Sequence, residues 1–567
     1  MKLTILYLYH KFLTFCAKHR SLVTGLAVVA VVTGLDVAFF YLAQSRAWTF
    51  VNTILQRVIN SNQPIDIGFA PEVWLSVLSL TLGTLIIIIS IAAQSIPKLI
   101  DLYIEDWISL IYVWFLIIAA THSVSIKFIY EAGYLRTSSV VLNLMVFLPI
   151  AVLFSLPYIF YILQSTQPSN VIRKIFHSQL RQISTLSQPY SRKLQRLHQY
   201  TSEMQSQLFK SLNQLDNMLE YIAFKDWKAQ IIQDMGALVQ EYVRVKRSIH
   251  PSFFKISDSI RDDISFRTML GQLHEVERTN TFYEQKCFRL LGNTYIKLIA
   301  DQEFDLASLC GLELTKVGAT AIECDDDLLI WIVIIRFNTL LRFALKHGVK
   351  NNEARNLYNV IFHYRNFIAN LVKANKVEAA RQSFYYLRIY GTEIYRHGRI
   401  SPSMYFIVDV FAAEMKEILI LVHQHEWRLD IQYTLLNEML QIDNPPDFTE
   451  GDLDRGQIFN NGVRILQIGL GLYYLRVNRI DFVQRIVADI LDDLSVLGES
   501  AFRRSIDLAC QRLRQAEKNF WEDTDRGNLN LYYTPDQDQI DNFREILYEQ
   551  MQLHLLSRQS IVSTQLF

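Results

Sequence analysis

Asp36, His122 and Asn143 stand inside long apolar stretches, where a carboxylate, an imidazole and an amide are costly unless something receives them. A carboxylate in hydrocarbon must meet protein, water or a proton. Asp36 therefore reads either as part of an ion or proton path or as a hydrogen-bonded packing residue in a helix bundle. Counted along their helices, His122 lies about one turn further toward the outside than Asp36, with Asn143 at nearly the depth of His122. The spacing predicts one intramembrane cluster of Asp36, His122 and Asn143; the plainer alternative leaves His122 at the outer interface. A second set forms a stripe. Plotted at 100° per residue, Ser76, Ser79, Gly83, Ser90 and Gln94 fall within a sector of about 60°. Hydroxyls and an amide along one side of an apolar helix either pack against a neighbouring helix, where Ser and Gly are common, or face water. Asp101 and Glu105 would extend the stripe into an acidic inner mouth if the helix ran on through Pro97. Ser95-Ile96-Pro97 reads instead as an N-cap followed by proline in the first turn of a new helix.

Other chemistry is sparse. No GxxxxGK[ST], GxGxxG, GxSxG, HExxH or CxxC occurs, and Leu429 stands where a metalloprotease starting at His425-Glu426 would need its second histidine. Glu323, Cys324, Asp325, Asp326 and Asp327 could form a metal cluster, but no histidine sits at ligand spacing and the aspartates suit a helix N-terminus. We therefore assign no catalytic residue, metal or cofactor, and expect no enzyme. The 56 basic and 56 acidic residues balance, which removes the basic excess expected of a nucleic-acid binder. Five scattered cysteines argue for a reducing compartment.

The elements that must position these groups follow from uneven composition. Residues 1–165 hold 9 basic and 7 acidic side chains and four apolar stretches long enough to cross a bilayer, near 22–43, 73–94, 104–125 and 139–163. Lys2, Lys11, Lys18 and Arg20 before the first span, and the basic run from Arg173 after the fourth, place both termini inside. On span one, Ala30, Gly34 and Ala38 form a small-residue face, and Asp36 points about 200° from Gly34. Span one thus needs non-lipid neighbours on two sides, which favours a homo-oligomer. Leu328–Leu345 is apolar as well, but Arg336, Asn338 and Arg342 mark it as a buried soluble helix. Heptads over 190–225 predict a helical hairpin or a short intersubunit coiled coil, or equally a seam packed against the rest of the same chain. Tyr242–Phe254 reads as a solvated helix face or a headgroup contact. From 266 onward apolar residues recur at helical spacing, with antiparallel pairs turning at Asn375-Lys376 and Asn478-Arg479.

Ala93-Gln-Ser-Ile-Pro-Lys-Leu99 and Gln167-Pro-Ser-Asn-Val-Ile-Arg-Lys-Ile175 resemble segments of a widespread group of bacterial four-span membrane proteins with a cytoplasmic C-terminal region. The Ser-Pro-Gly-Ile-Asn-Asp-Pro-like segment of that group is missing here. The resemblance covers about the first 180 residues and implies topology and a bacterial inner membrane, with no activity attached. The helix pairs resemble degenerate tetratricopeptide hairpins. The expected fold is all-α: a four-helix transmembrane domain at 1–165, a membrane-proximal helical region at 166–265, stacked antiparallel pairs forming an α-solenoid-like cytoplasmic domain at 266–521, and a linker, terminal helix and tail at 522–567. The function expected is a homo-oligomeric pore or ion pathway with a cytoplasmic assembly or gating domain. The alternative is a membrane-anchored scaffold that recruits a cytoplasmic protein. Partners would be other copies of the chain and membrane lipids, not nucleic acid.

Overall fold

The structure is a computed structural model describing residues 11, 15–16, 19–43, 69–95, 106–134, 136–398, 402–443, 461–524 and 527–565. The described chain is all-α apart from a two-stranded antiparallel hairpin, β1 (Asn519–Thr524) with β2 (Gly527–Leu529). It divides into two compact units, residues 1–231 with 249–253, and 232–248 with 254–567. The division falls inside the stretch 166–265 that the sequence reads as one region.

The first unit opens with α1 (Arg20–Ala43), α2 (Phe69–Ser95), α3 (Trp107–Glu131) and α4 (Thr137–Ser165), each long and apolar enough to cross a membrane. They overlap the spans read from sequence, and α3 runs on to residue 131 rather than stopping near 125. Val32, Trp74, Leu116, Leu142 and Phe147 fill their common core, and Ala119 and Ala151, both fully buried, let the helices approach closely. Within α4, Leu142–Phe147 is π-helical. Pro149 follows at the start of the next α segment; it has no N–H for the Met145 carbonyl, and the wider π turn relieves the crowding its ring would cause.

Next come α5 (Pro168–Leu186), α6 (Pro189–Leu194) and α7 (His198–Tyr221). Residues 195–197 break the predicted heptad run, and its apolar positions Leu194, Met204, Leu208, Leu215 and Met218 are buried within the chain, α7 packing on α5. Gln179 secures that contact by donating to the Leu208 carbonyl at 3.3 Å. The seam closes inside one chain, which corrects the coiled-coil expectation. Tyr242–Phe254, at the end of α8 (Lys225–Lys246) and beyond, is split between core and surface: Tyr242, Val243, Phe253 and Phe254 are buried, while Arg244 and Arg247 stay exposed.

The second unit is a stack of helix pairs: α9 (Phe282–Ala300), α10 (Phe304–Glu323), α11 (Asp327–Asn351), α12 (Arg355–Lys373), α13 (Val377–Gly398), α14 (Pro402–Gln424), α15 (Leu429–Leu440), α16 (Asn461–Arg476), α17 (Ile480–Asp492), α18 (Glu499–Gln515) and α19 (Ile540–Gln565). Between paired helices one residue takes the left-handed conformation that ends a helix sharply, at Gln302, Asp325, Asn352, Asn375, Glu426 and Asn478, with φ between 51° and 60°. These turns carry a period: Gln302 to Asn352 and Asp325 to Asn375 are each 50 residues, Asn375 to Glu426 is 51, and Glu426 to Asn478 is 52. The helices stack in two rows, α10, α12, α14 and α16 in one and α9, α11, α13, α15 and α17 in the other. Bonds one period apart join successive units, including Arg365 to Glu414 at 2.8 Å and Tyr390 to the Asn338 carbonyl at 2.8 Å. This is an α-solenoid whose unit is longer than the 34 residues of a tetratricopeptide repeat.

α11 is a fifth helix apolar enough to span a membrane, and it packs among α9, α10, α12 and α13 of the stack. Asp326 caps it by accepting the Leu329 N–H at 3.0 Å. It continues past Leu345, the end of the apolar stretch, to a left-handed Asn352. The stretch 522–536, which the sequence reads as a polar linker, contains β2 and docks on the array, with Tyr532 donating to Asp409 at 2.7 Å and Asp536 pairing with Arg476 at 2.6 Å. The terminal helix α19 buries Ile540, Phe543, Leu547 and Met551.

Candidate functional site

The polar groups of the spans meet where α1 ends and α4 begins. Asp36 lies 3.7 Å from His122 Nε2 through Oδ1 and 3.3 Å from Arg136 Nη1 through Oδ2. Asn143 closes the other side: its Nδ2 is 3.0 Å from the Ala119 carbonyl and 3.2 Å from His122 Nδ1, and its Oδ1 accepts from Trp74 Nε1 at 2.7 Å. An indole N–H can only donate, so it fixes which end of the Asn143 amide is oxygen. Asn143 Nδ2 must then donate, His122 Nδ1 must accept, and the ring proton belongs on Nε2, facing Asp36. Arg136 also lies over the Phe40 ring, 4.5 Å from its centroid. The structure thus brings Asp36, His122 and Asn143 together and adds Arg136 and Trp74. An arginine directly before a span, in a chain whose first span carries a lone aspartate, was the available signal for the former. Neutral as an Asp36–Arg136 pair and backed by the packed core beneath it, the cluster ties α1, α2, α3 and α4 together.

At the opposite end of these helices, Asp106 caps α3 by accepting the Ser109 N–H at 3.0 Å, and also receives the Tyr161 hydroxyl at 3.0 Å and Lys174 at 3.2 Å. That one carboxylate joins the start of α3, the end of α4 and the first turns of α5. Neither Asp106 nor Lys174 stood out in the sequence, since an N-cap and a juxtamembrane lysine are both ordinary there.

The α2 stripe points away from the bundle. Ser76, Ser79 and Ser90 are exposed, a Cβ built on Gly83 would meet nothing within 4 Å, and the exposed Leu80, Ile86 and Ile87 flank them. Trp74 and Thr81, on the opposite side of the helix, are buried. The Gln94 side chain, Asp101 and Glu105 lie outside the described residues, and with them the acidic inner mouth. On α1, Ala30, Gly34 and Ala38 are exposed while Asp36 turns inward.

In the second unit the aspartate run is taken up by lysines. Asp325 and Asp327 both pair with Lys376, and Asp326 pairs at 2.8 Å with Lys246, which also holds the fully buried Glu284 at 2.7 Å. Burial pushes the Glu284 carboxyl up; burial would also depress the Lys246 ammonium, but Glu284 and Asp326 overcome that and hold it above its ordinary value. A second buried knot centres on Arg464, with Asp489 at 2.6 Å, Asp493 at 2.7 Å and Asp443 at 3.7 Å. Burial, opposed by Arg464 and reinforced by the two neighbouring carboxylates, pushes Asp489 up to about 7. Among the described residues no group of three His, Cys, Asp or Glu side chains is placed to hold a metal ion.

Fold and site together define a class, an all-α membrane protein in which four apolar helices precede a long α-solenoid. No family model, curated protein or solved structure matches the chain.

Proposed function

We propose that the chain assembles as a homo-oligomer of multi-pass subunits around a pore or ion pathway lined by α2. The termini and the helical array lie on the cytoplasmic side of a bacterial inner membrane, and the array assembles or gates the pathway. One observation carries this reading: the Ser76, Ser79, Gly83 and Ser90 stripe lies at the centre of the exposed side of α2, opposite the buried Trp74 and Thr81. Packing among the described helices of its own bundle does not use the stripe, and we read its counterpart in a bilayer as another subunit or water. The outward face of Ala30, Gly34 and Ala38 supports the same assembly, because small residues let helices of neighbouring subunits approach in lipid. The closed cluster around Asp36 argues against a path through a single bundle and for one between bundles.

A scaffold is the second reading, favoured by the uninterrupted stack of pairs from α9 to α17, since solenoids present long surfaces to protein partners. Light scattering on the detergent-solubilised protein, corrected for bound detergent, should give a multiple of 66.1 kDa. A clean monomer at micromolar concentration in mild detergent removes the pore reading and leaves the scaffold.

A further inference from the structure

A cavity of about 690 Å³ opens among α9, α10 and α11, with the short helix Leu273–Arg278 at its rim. Phe288, Leu314, Trp331, Ile335 and Phe343 give it an apolar, aromatic wall, and two arginines, Arg289 and Arg336, share that lining. Arg289 is tied down, donating to the Ser265 carbonyl and, at 2.6 Å, to the Thr268 hydroxyl. Arg336 is not: its Nε is buried without a hydrogen-bond partner, and no carboxylate pairs with it among the described residues. Glu275, the acid on the cavity lining, is held at both oxygens by Arg278, at 2.6 and 2.8 Å. Burial and the neighbouring Arg289 charge both lower the Arg336 pKa, yet a guanidinium stays protonated in proteins. The fold therefore carries a cation that nothing in the described chain neutralises.

The apolar half of the site has its own signature. α11 is apolar enough to cross a membrane although it belongs to the array, and its exposed Leu328, Trp331 and Ile335 all line this cavity. Leu328, Trp331 and Ile335, apolar side chains that α11 leaves exposed, thus lie along one open cleft that also holds Arg289 and Arg336.

We propose that this cavity binds a single-chain amphiphile with an anionic head, the carboxylate of a fatty acid or the phosphate of a lysolipid. The head sits on Arg336 and Arg289, and the chain lies along Trp331 and Ile335. The planar fork of a guanidinium matches either oxyanion. The volume falls in the range of roughly 300–1,000 Å³ typical of small-molecule sites, room for one chain. The site lies wholly in the array and stands whether or not α2 lines a pore.

The test is photolabelling of the full chain, in nanodiscs of zwitterionic phosphatidylcholine, with a diazirine analogue of palmitate. Saturable label is expected on peptides covering 328–343. Palmitate or lysophosphatidate should compete, the stronger competitor identifying the head, while palmitate methyl ester competes roughly tenfold less well, the order set by one charged hydrogen-bonded contact. Arg336→Met should weaken labelling by a similar factor and erase the difference between acid and ester. Ile335→Trp, which keeps the charge and fills the cavity, should abolish label at 328–343 and decides the matter should Arg336→Met fold poorly. Label confined to the four spans, equal competition by acid and ester, or undiminished label in Ile335→Trp overturns the proposal.

Discussion

Trp74, through a single N–H, sets the orientation of Asn143 and with it the tautomer of His122. Asn143→Leu removes the acceptor for that indole and the donor for His122 at once, leaving a buried polar group unpaired. The cost expected is about 1–3 kcal/mol, read as a lower melting temperature of the solubilised protein. An unchanged melting temperature would mean the network contributes nothing. Asp489 supplies a pH dependence whose sign is fixed by the direction of its shift. Folded, its carboxyl titrates near 7; unfolded, near the ordinary 3.8. As pH rises between these values the unfolded chain releases its proton while the folded chain keeps it, so stability is full below about 4 and is lost as pH rises through about 7. The melting temperature should therefore fall from pH 5 to pH 8, and Asp489→Asn should flatten that slope; a parallel slope in the variant contradicts the assignment. Asp36, His122 and Asn143 were legible because polar groups are rare in apolar stretches. Arg136 and Trp74 were not, because at the ends of spans they look like ordinary topology and interface markers.

Helix contacts in the array depend on glycine in α10. A Cβ on Gly318 would run into the Phe367 ring of α12, and one on Gly311 would press on His363. Gly318→Ala should cost about 1–3 kcal/mol by overpacking. In α9, Gly292→Ala meets nothing within 4 Å and should be neutral or stabilising by up to about 1 kcal/mol through helix propensity alone. Equal melting temperatures for the two variants would refute the close packing of α10 on α12. The helices themselves were readable from apolar spacing, and so were the turns at Asn375 and Asn478. The 50-to-52-residue period was not, because the left-handed position is filled by Gln302, Asp325 and Glu426 as well as by asparagine, so no residue type recurs. The β hairpin escaped for a related reason: strands of 6 and 3 residues are too short to show alternation. The heptad seam of α6 and α7 was visible, but periodicity cannot tell a partner in the same chain from one in another.

For the molecule as a whole, the contrast between a charge-poor first 165 residues and an ordinary remainder was enough to predict an all-α chain of apolar helices followed by a helical array. The boundary between the two compact units was hidden because α8 runs through it without a break in its pattern. The outward direction of the α2 stripe was hidden too, since angular position on a helix gives no neighbour. With that direction known, a pathway between subunits requires that the outward face of α2 meet water. The most direct measurement pairs thiol reactivity with current in reconstituted bilayers for Ser90→Cys and Ile89→Cys, residues that lie about 100° apart on α2. A water-lined path predicts that a small hydrophilic thiol reagent modifies Ser90→Cys and changes its conductance while leaving Ile89→Cys untouched. An unreactive Ser90→Cys, or bilayers that carry no current at all, would contradict it.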